Sequence, residues 1–330
     1  MIRRRTLLVS TTVAGAGLAA PAVRAQPRNA SWPRALTMGT AAPGGTYAIY
    51  GPAWGQLAAA ATGINISYRT TQGPNQNIVL VDQKQVELGM VTMGVALQAW
   101  NGSGEWTRGN KFRNIRALFP MYDTPFHAVA LKRSGIDDHA KLDGKSVGVG
   151  PRGGTPGTYY PLILKAIGVT PSRIGFGSGS DLIGQVSDGL LDCFAFAAGV
   201  PIPSFSEIET TNEVNIFGFT DAQMDRIVKE LPELSKGELP VGTYRSQTAP
   251  IKIVGVYNFA IVHKDLPEDL VYAIVKSVMT QHAALVQATA AAKETVPANV
   301  TKNTFLPFHP GAAKWFRENG HNIPDNLIMA

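Results

Sequence analysis

Short apolar runs and helix-length segments alternate along almost the whole chain. Leu36-Thr37-Met38-Gly39-Thr40 reads as a strand that runs into the turn Pro43-Gly44-Gly45, and an apolar helix is expected from about Pro52 to Ala61. A tight first turn at Thr46 is expected to precede that helix, because proline inside a helix costs ~3 kcal/mol. Ile64 to Arg69 alternates like a strand, Asn75 to Gln83 reads as a short helix, and Glu87 to Thr92 as a strand. Ile115–Phe119 and Phe126–Leu131 read as two further strands, separated by the turn-like Asp123-Thr124-Pro125.

A second series begins near Asp138. It contains strands at Ser146–Gly150, Asp192–Ala197 and Val214–Phe219, and helices at Thr158–Ile167, Asp181–Asp188 and Asp221–Leu231. A long β-rich run covers Lys252–His263, and helices follow at Pro267–Gln287 and Pro310–Glu318. Strand–helix–strand alternation indicates α/β units with mostly parallel sheet. The pattern predicts two α/β lobes, the second inserted into the first. Lobe one takes residues 26–125 and 255–330, and lobe two residues 126–254. Two such lobes form a cleft that closes by hinge motion, and ligands of open α/β sheets bind beyond the carboxyl ends of the strands.

One motif occurs twice. Gly44-Gly45-Thr46 and Gly153-Gly154-Thr155 each follow a predicted strand, open a helix and have a proline six residues after the threonine, Pro52 and Pro161. Glycine lets the backbone approach a ligand, and a helix start offers free N–H groups with partial positive charge. One such turn in each lobe would grip a small anion from both sides, through Gly45, Thr46, Gly154 and Thr155. The same turns also read as ordinary strand-to-helix connections. Arg152 either adds a charge-assisted bond to that anion or is a solvated loop arginine. Gln72, Asn75, Asn77 and Thr92 stand at strand-end turns where side chains can face the cleft, although Asn75 also reads as a helix cap. Tyr47, Tyr50, Tyr68, Tyr159 and Tyr160 flank the glycine turns, as ligand walls or as packing.

Composition narrows the picture. The 330 residues are 45% hydrophobic, enough for two domains with real cores. The net charge of +6 is concentrated in Arg3, Arg4, Arg5 and Arg24, and from residue 26 onward 26 basic residues face 24 acidic ones. That near-neutral remainder argues against a nucleic-acid or anionic-lipid partner. Residues 1–25 read as an export signal: a basic start, a mildly apolar Leu7–Ala22 and a small residue at Ala25, with cleavage expected there. Arg4-Arg5-Thr6-Leu7-Leu8 is similar to a twin-arginine motif, and an ordinary secretory signal is the alternative. A soluble monomer in the periplasm is expected, as no later apolar run is long enough to span a membrane.

The chemistry of catalysis is sparse. Cys193 is the only thiol, and none of the six histidines has metal-helix spacing, so no cofactor or metal is expected. There is no G-x-S-x-G elbow. Gly148-Val149-Gly150-Pro151-Arg152-Gly153 matches a dinucleotide fingerprint in letters only, because Pro151 removes an N–H from the phosphate turn.

Thr37-Met38-Gly39-Thr40 with Gly44-Gly45-Thr46-Tyr47 resembles the opening of the TAXI family, the extracytoplasmic solute receptors of TRAP transporters. Thr71 to Asn77, Gly150 to Thr155, Ala198-Gly199-Val200-Pro201 and His309 to Gly320 are similar to later family segments in the same order. The resemblance implies a two-lobed periplasmic binding protein of the second type, without catalysis. It also implies that a small organic anion, a dicarboxylate or an amino-acid-like solute, is delivered to a TRAP membrane permease driven by an ion gradient. Tyr47 joins the expected ligand-binding residues on that basis. Two departures stand out. Ala48 replaces a second aromatic, and Thr92-Met93-Gly94 replaces a polar cluster that carries an acid. The missing acid favours an acid without an ammonium group, or a more apolar ligand. The alternatives are an ABC-importer binding protein for sulfonates or thiamine precursors, an exported enzyme using the cleft, and a surface protein for a macromolecular partner.

Overall fold

The computed structural model describes residues 29–328. The expected export signal lies outside the described residues. In chain order the elements are β1 (Ala35–Gly39), α1 (Tyr47–Thr62), β2 (Asn65–Arg69), α2 (Pro74–Asp82), β3 (Leu88–Thr92), α3 (Met93–Asn101) and β4 (Ile115–Leu131). The inserted series follows: β5 (Ser146–Gly148), α4 (Thr155–Ala166), β6 (Arg173–Gly175), α5 (Gly179–Ser187), β7 (Cys193–Ala197), α6 (Pro203–Ile208), β8 (Val214–Phe217), α7 (Asp221–Glu230) and β9 (Ser235–Leu239). The chain then returns through β10 (Ile251–His263) to α8 (Glu268–Thr280), α9 (His282–Ala288) and α10 (Pro310–Glu318). Among the described residues, no helix is long and apolar enough to cross a membrane.

The strands run in the order β2-β1-β3-β10-β4-β7-β5-β6, with β8 added to β4 and β9 to β10. At one end β2, β1 and β3 are parallel, and at the other β7, β5 and β6 are parallel. Between them β4 and β10 pair antiparallel from Val254 opposite Phe126 to His263 opposite Ile115. Both are long enough to serve two lobes. The half of β4 around Ile115–Tyr122 belongs with the first parallel group, and its Phe126–Leu131 half with the second, where it pairs with β7 and β8. This is the α/β, two-lobed architecture of periplasmic binding proteins.

Three expectations change. Ile115–Phe119 and Phe126–Leu131 are one strand, because Asp123, Thr124 and Pro125 stay in register opposite Tyr257, Val256 and Gly255. The first helix starts at Tyr47, five residues before Pro52, which sits inside it. Burial of Tyr47, Tyr50, Trp54 and Ala58 on one face at helical spacing outweighs the single helical bond that proline removes. The same holds for Pro161 inside α4. The expected helix Pro267–Gln287 is two helices meeting at Gln281, with no proline or glycine at the joint. A bond from His282 Nε2–H to the Ala292 carbonyl accompanies the break.

Three of the four buried histidines, His127, His139 and His309, pin the chain and are neutral. His127 donates from Nδ1 to the Pro125 carbonyl and accepts from the Tyr244 hydroxyl at 2.7 Å, while that hydroxyl takes the Ile202 N–H. His139 donates to the Gly218 carbonyl and stacks on Phe219. His309 caps α10 by accepting from Gly311 N–H, and donates from Nε2 to the Leu266 carbonyl. Burial lowers the pKa of His127 to about 3, and of His139 and His309 to about 4 each.

These shifts set an acid sensitivity. An unfolded histidine titrates near 6.5, so below that pH the unfolded chain binds protons that the folded chain refuses. Stability from this source is complete above pH ~6.5 and is lost as pH falls toward ~4, at up to about 4 kcal/mol per pH unit for three protons. Asp123 and Glu294, whose carboxyls burial pushes upward, partly offset the loss at its acidic end. The urea midpoint is expected to drop clearly between pH 7 and pH 5. An unchanged midpoint would contradict neutral burial of the three rings.

Candidate functional site

The turns between strands and helices converge on one cavity between the lobes. From the first lobe it is lined by Ala41–Pro43, Gly45, Thr46 and Tyr47 at the start of α1, by Gln72, Gly73 and Pro74 at the start of α2, and by Thr92 before α3. From the second lobe come Pro151, Gly154, Thr155 and Pro156 at the start of α4, Gly179 at the start of α5, and Phe196–Ala198 at the end of β7. Tyr122 and Thr124 of β4 and Asn258 of β10 complete the lining where the two lobes join. The site thus lies beyond the carboxyl ends of the parallel strands, as the topology requires. Its volume is about 50 Å³, room for roughly four waters at ~10–15 Å³ each.

The cavity is small because the lobes touch around it. Gly179 N–H donates to the Pro43 carbonyl at 3.0 Å, and Asn75 N–H to the Gly153 carbonyl at 3.2 Å. Gly153 N–H donates to Gln72 Oε1 at 3.2 Å, and the Thr92 and Thr155 hydroxyls lie 3.0 Å apart. Thr46 donates its hydroxyl to the Gly199 carbonyl at 2.6 Å. Farther out, Trp106 Nε1–H donates to Gln98, Gln98 to the Tyr159 hydroxyl, and that hydroxyl to Glu233. Two glycines permit this approach. Gly44 has φ +85°, and a side chain there would meet Ser180 N at 2.5 Å; Gly73 has φ +124° and faces Gly154 Cα at 3.0 Å. The two lobes stand in direct contact around the cavity.

Of the ten residues singled out in the sequence, Gly45, Thr46, Tyr47, Gln72, Thr92, Gly154 and Thr155 line the cavity. Asn75, Asn77 and Arg152 do not. Asn77 is fully buried and spends its amide on the Thr40 and Met90 carbonyls and the Thr71 hydroxyl, a structural task. Asn75 neither caps α2, which begins one residue earlier at Pro74, nor reaches the cavity. Its side chain bonds Thr158 on the facing lobe. Arg152 stacks 3.8 Å above the Phe176 ring in an outer groove with Trp106 and Leu162. Of the flanking tyrosines, Tyr50, Tyr159 and Tyr160 are core, and Tyr68 is exposed.

Sequence reasoning missed Tyr122, Phe196 and Asn258. Asn258 is fully buried in the middle of β10, accepts from the Tyr47 hydroxyl, and donates to the Tyr122 carbonyl and the Thr124 hydroxyl. An asparagine inside the apolar run Ile253–Val262 was the available signal. Tyr122 is 1% exposed and its hydroxyl has no partner among the described residues. Burial holds the Tyr47 and Tyr122 hydroxyls protonated, pushing both well above the ordinary tyrosine range.

The electrostatics are unusual in what they lack. No Asp, Glu, Lys, Arg or His lines the cavity. Five helices begin at it: α1 to α4 have no acidic residue in the first turn and no side-chain cap, whereas α5 is capped by Ser178 and carries Asp181 in its first turn. The starts of α1 to α4 carry partial positive charge, although Pro74 and Pro156 lack an N–H and the Asn75 N–H is taken by the Gly153 carbonyl.

Solved structures share the architecture. The chain aligns over 87% of its length, and 97% of the other, with the periplasmic binding protein BugD at 13% identity and a TM-score of 0.56. It aligns over 86%, and 96% of the other, with MatC of Rhodopseudomonas palustris solved with bound malate, at 14% identity and a TM-score of 0.57. An ancestral arginine-binding protein bound to arginine matches over 78% of this chain and 97% of its own at 12% identity, with a TM-score of 0.51. Likeness at such identities speaks to fold alone. In sequence, the model of the NMT1-like family matches residues 38–320. The match takes in both glycine turns, the shared strands and the C-terminal helices, and the chain belongs to the NMT1-like family.

Proposed function

We propose that this chain is an extracytoplasmic solute-binding protein that captures a small organic anion in the interlobe cavity and hands it to a TRAP permease. The carrying observation is the convergence of five helix starts, four of them uncapped and acid-free, on a cavity without charged side chains among the described residues. Backbone N–H groups at helix starts bind carboxylates and phosphates without help from a cation. The lining also argues for a receptor over an enzyme. It holds no carboxylate, imidazole, thiol or amine to act as base or nucleophile.

The finer parts of the reading rest on sequence. Residues 1–25 support export to the periplasm, and the TAXI resemblance supports a TRAP partner and a dicarboxylate or related acid. The malate bound to MatC is in keeping with an organic acid on this fold. In this reading the lobes are 26–125 with 255–330, and 126–254, and the hinge is the shared pair of strands near Tyr122–Phe126 and Val254–Asn258. Gly45, Thr46, Tyr47, Gln72, Thr92, Gly154 and Thr155 meet the ligand. Asn75 and Arg152 act outside the cavity. Ligand closes the clamp because it touches both lobes and therefore binds the closed state better.

Native mass spectrometry of protein purified without denaturation tests the receptor reading, with a retained organic acid expected. Proteoliposome uptake that needs an ion gradient supports the TRAP partner, whereas dependence on ATP hydrolysis would place the protein with an ABC importer. Thr155→Val removes one hydroxyl donor at constant shape. It is expected to weaken binding of the retained acid about tenfold, in line with ~1.5–3 kcal/mol for a hydrogen bond to a charged group. Unchanged affinity in calorimetry would remove Thr155 from the grip. Small-angle scattering is expected to give a smaller radius of gyration with the acid than without it; equal radii at saturation would exclude a closing clamp.

A further inference from the structure

We infer that the solute is a carboxylic acid that carries no ammonium group, so that 2-oxo and hydroxy acids are bound and α-amino acids are rejected. This rests on the reading of the interlobe cavity as the ligand site. An ammonium taken out of water needs a carboxylate or several free acceptors around it. The cavity supplies no carboxylate among the described residues, and its two side-chain amide oxygens are already engaged. The acids nearest to it in the chain are occupied elsewhere. Asp123 lines an adjoining cavity with Glu294, one that Tyr122 also lines, and accepts from Thr124 N–H. Asp181 takes the Ser178 hydroxyl, and Glu233 takes the Tyr159 hydroxyl.

The neutral acceptors in the lining already accept hydrogen bonds as well. Asn258 Oδ1 accepts from Tyr47, and Gln72 Oε1 from Gly153 N–H. Donors are in surplus. Besides the first-turn N–H groups, of which Pro74 and Pro156 have none and Asn75 has given its own to Gly153, there is the Tyr122 hydroxyl, on a residue shared with the adjoining cavity, buried to 1% exposure and without a partner among the described residues. A buried hydroxyl left unpaired is disfavoured, and an acceptor oxygen on the solute satisfies it. The positive field of the helix starts acts in the same sense, attracting carboxylate and repelling ammonium. The walls of Phe196, Pro74, Pro156 and Ala198 offer an ammonium no compensating polarity. Selection against the amine thus comes from what the site omits.

Matched pairs test this directly: 2-oxoglutarate with glutamate, pyruvate with alanine, and 4-methyl-2-oxopentanoate with leucine, with malate added. Melting temperature and calorimetry are read on protein freed of retained solute by dialysis. In at least one pair the oxo acid is expected to bind about 100-fold or more tightly than its amine. An amino acid that binds as well as its oxo partner overturns the inference and leaves the receptor reading standing. If none of the seven compounds binds, tandem mass spectrometry of the natively retained solute decides. An amine in it overturns the inference, and an amine-free acid supports it. No retained solute at all removes the receptor reading, and the inference with it. In a separate arm Tyr122→Phe is expected to weaken binding of the acid at least fivefold without lowering the melting temperature, and unchanged affinity would withdraw Tyr122 as a donor.

Discussion

Two strands bear the whole arrangement. β4 and β10 are antiparallel to each other, buried over almost all of their length, and shared between both lobes. At their midpoint Asn258 holds Tyr47 at the start of α1 and reaches across to the Tyr122 carbonyl and Thr124. Because these strands are common property, the parallel strands of each lobe end at the same place. The helices that follow them must then start there. The convergence of helix starts on the cavity is a consequence of topology and would hold for many sequences. What this sequence adds is the removal of charge from the walls.

The closed geometry follows from the same economy of side chains. Glycine and proline at the rim let backbone meet backbone across the gap, as Pro43 meets Gly179 and Asn75 meets Gly153. Contacts of this kind are short and directional, and they place the two lobes in one fixed relation when shut. Hydroxyls that could face a solute, those of Thr46, Thr92 and Thr155, bond across the lobes in this state. In the proposed reading, capture of an anionic solute by these groups would exchange neutral interlobe bonds for stronger bonds to a charged group.

Much of this was legible in the sequence, because local chemistry and tertiary packing agree there. The paired Gly-Gly-Thr turns mark the starts of α1 and α4, and the alternation of strands and helices marks the α/β class. Where the two disagree, packing decides. Pro52 argued for a later helix start, but the buried face of Tyr47, Tyr50 and Trp54 fixes an earlier one. Asp123-Thr124-Pro125 has the composition of a turn, yet its partners on β10 hold it extended. Asn77 looked like a ligand reader because it is polar at a strand end. Three internal hydrogen bonds, invisible before folding, claim it. Arg152 looked like an anion partner until Phe176 supplied a flat ring beside it. Asn258 escaped notice for the opposite reason, as a lone polar residue inside an apolar strand, where only the crossing of the lobes reveals its task.

A site built on main-chain donors also has its own pattern of mutability. Substitution changes side chains, and of the twenty amino acids only proline deletes an N–H. Outside Pro74 and Pro156, which already lack an N–H, the donors at the starts of α1 to α4 are therefore preserved under nearly all point changes that spare the fold. The walls, made of Phe196, Tyr122, Pro156 and small residues, are free to change shape around them. If the cleft holds an acid as proposed, sequence drift would alter which carbon skeleton fits while the hold on the acid group persists. The arrangement separates recognition of the head group, written in the backbone, from recognition of the body, written in the side chains.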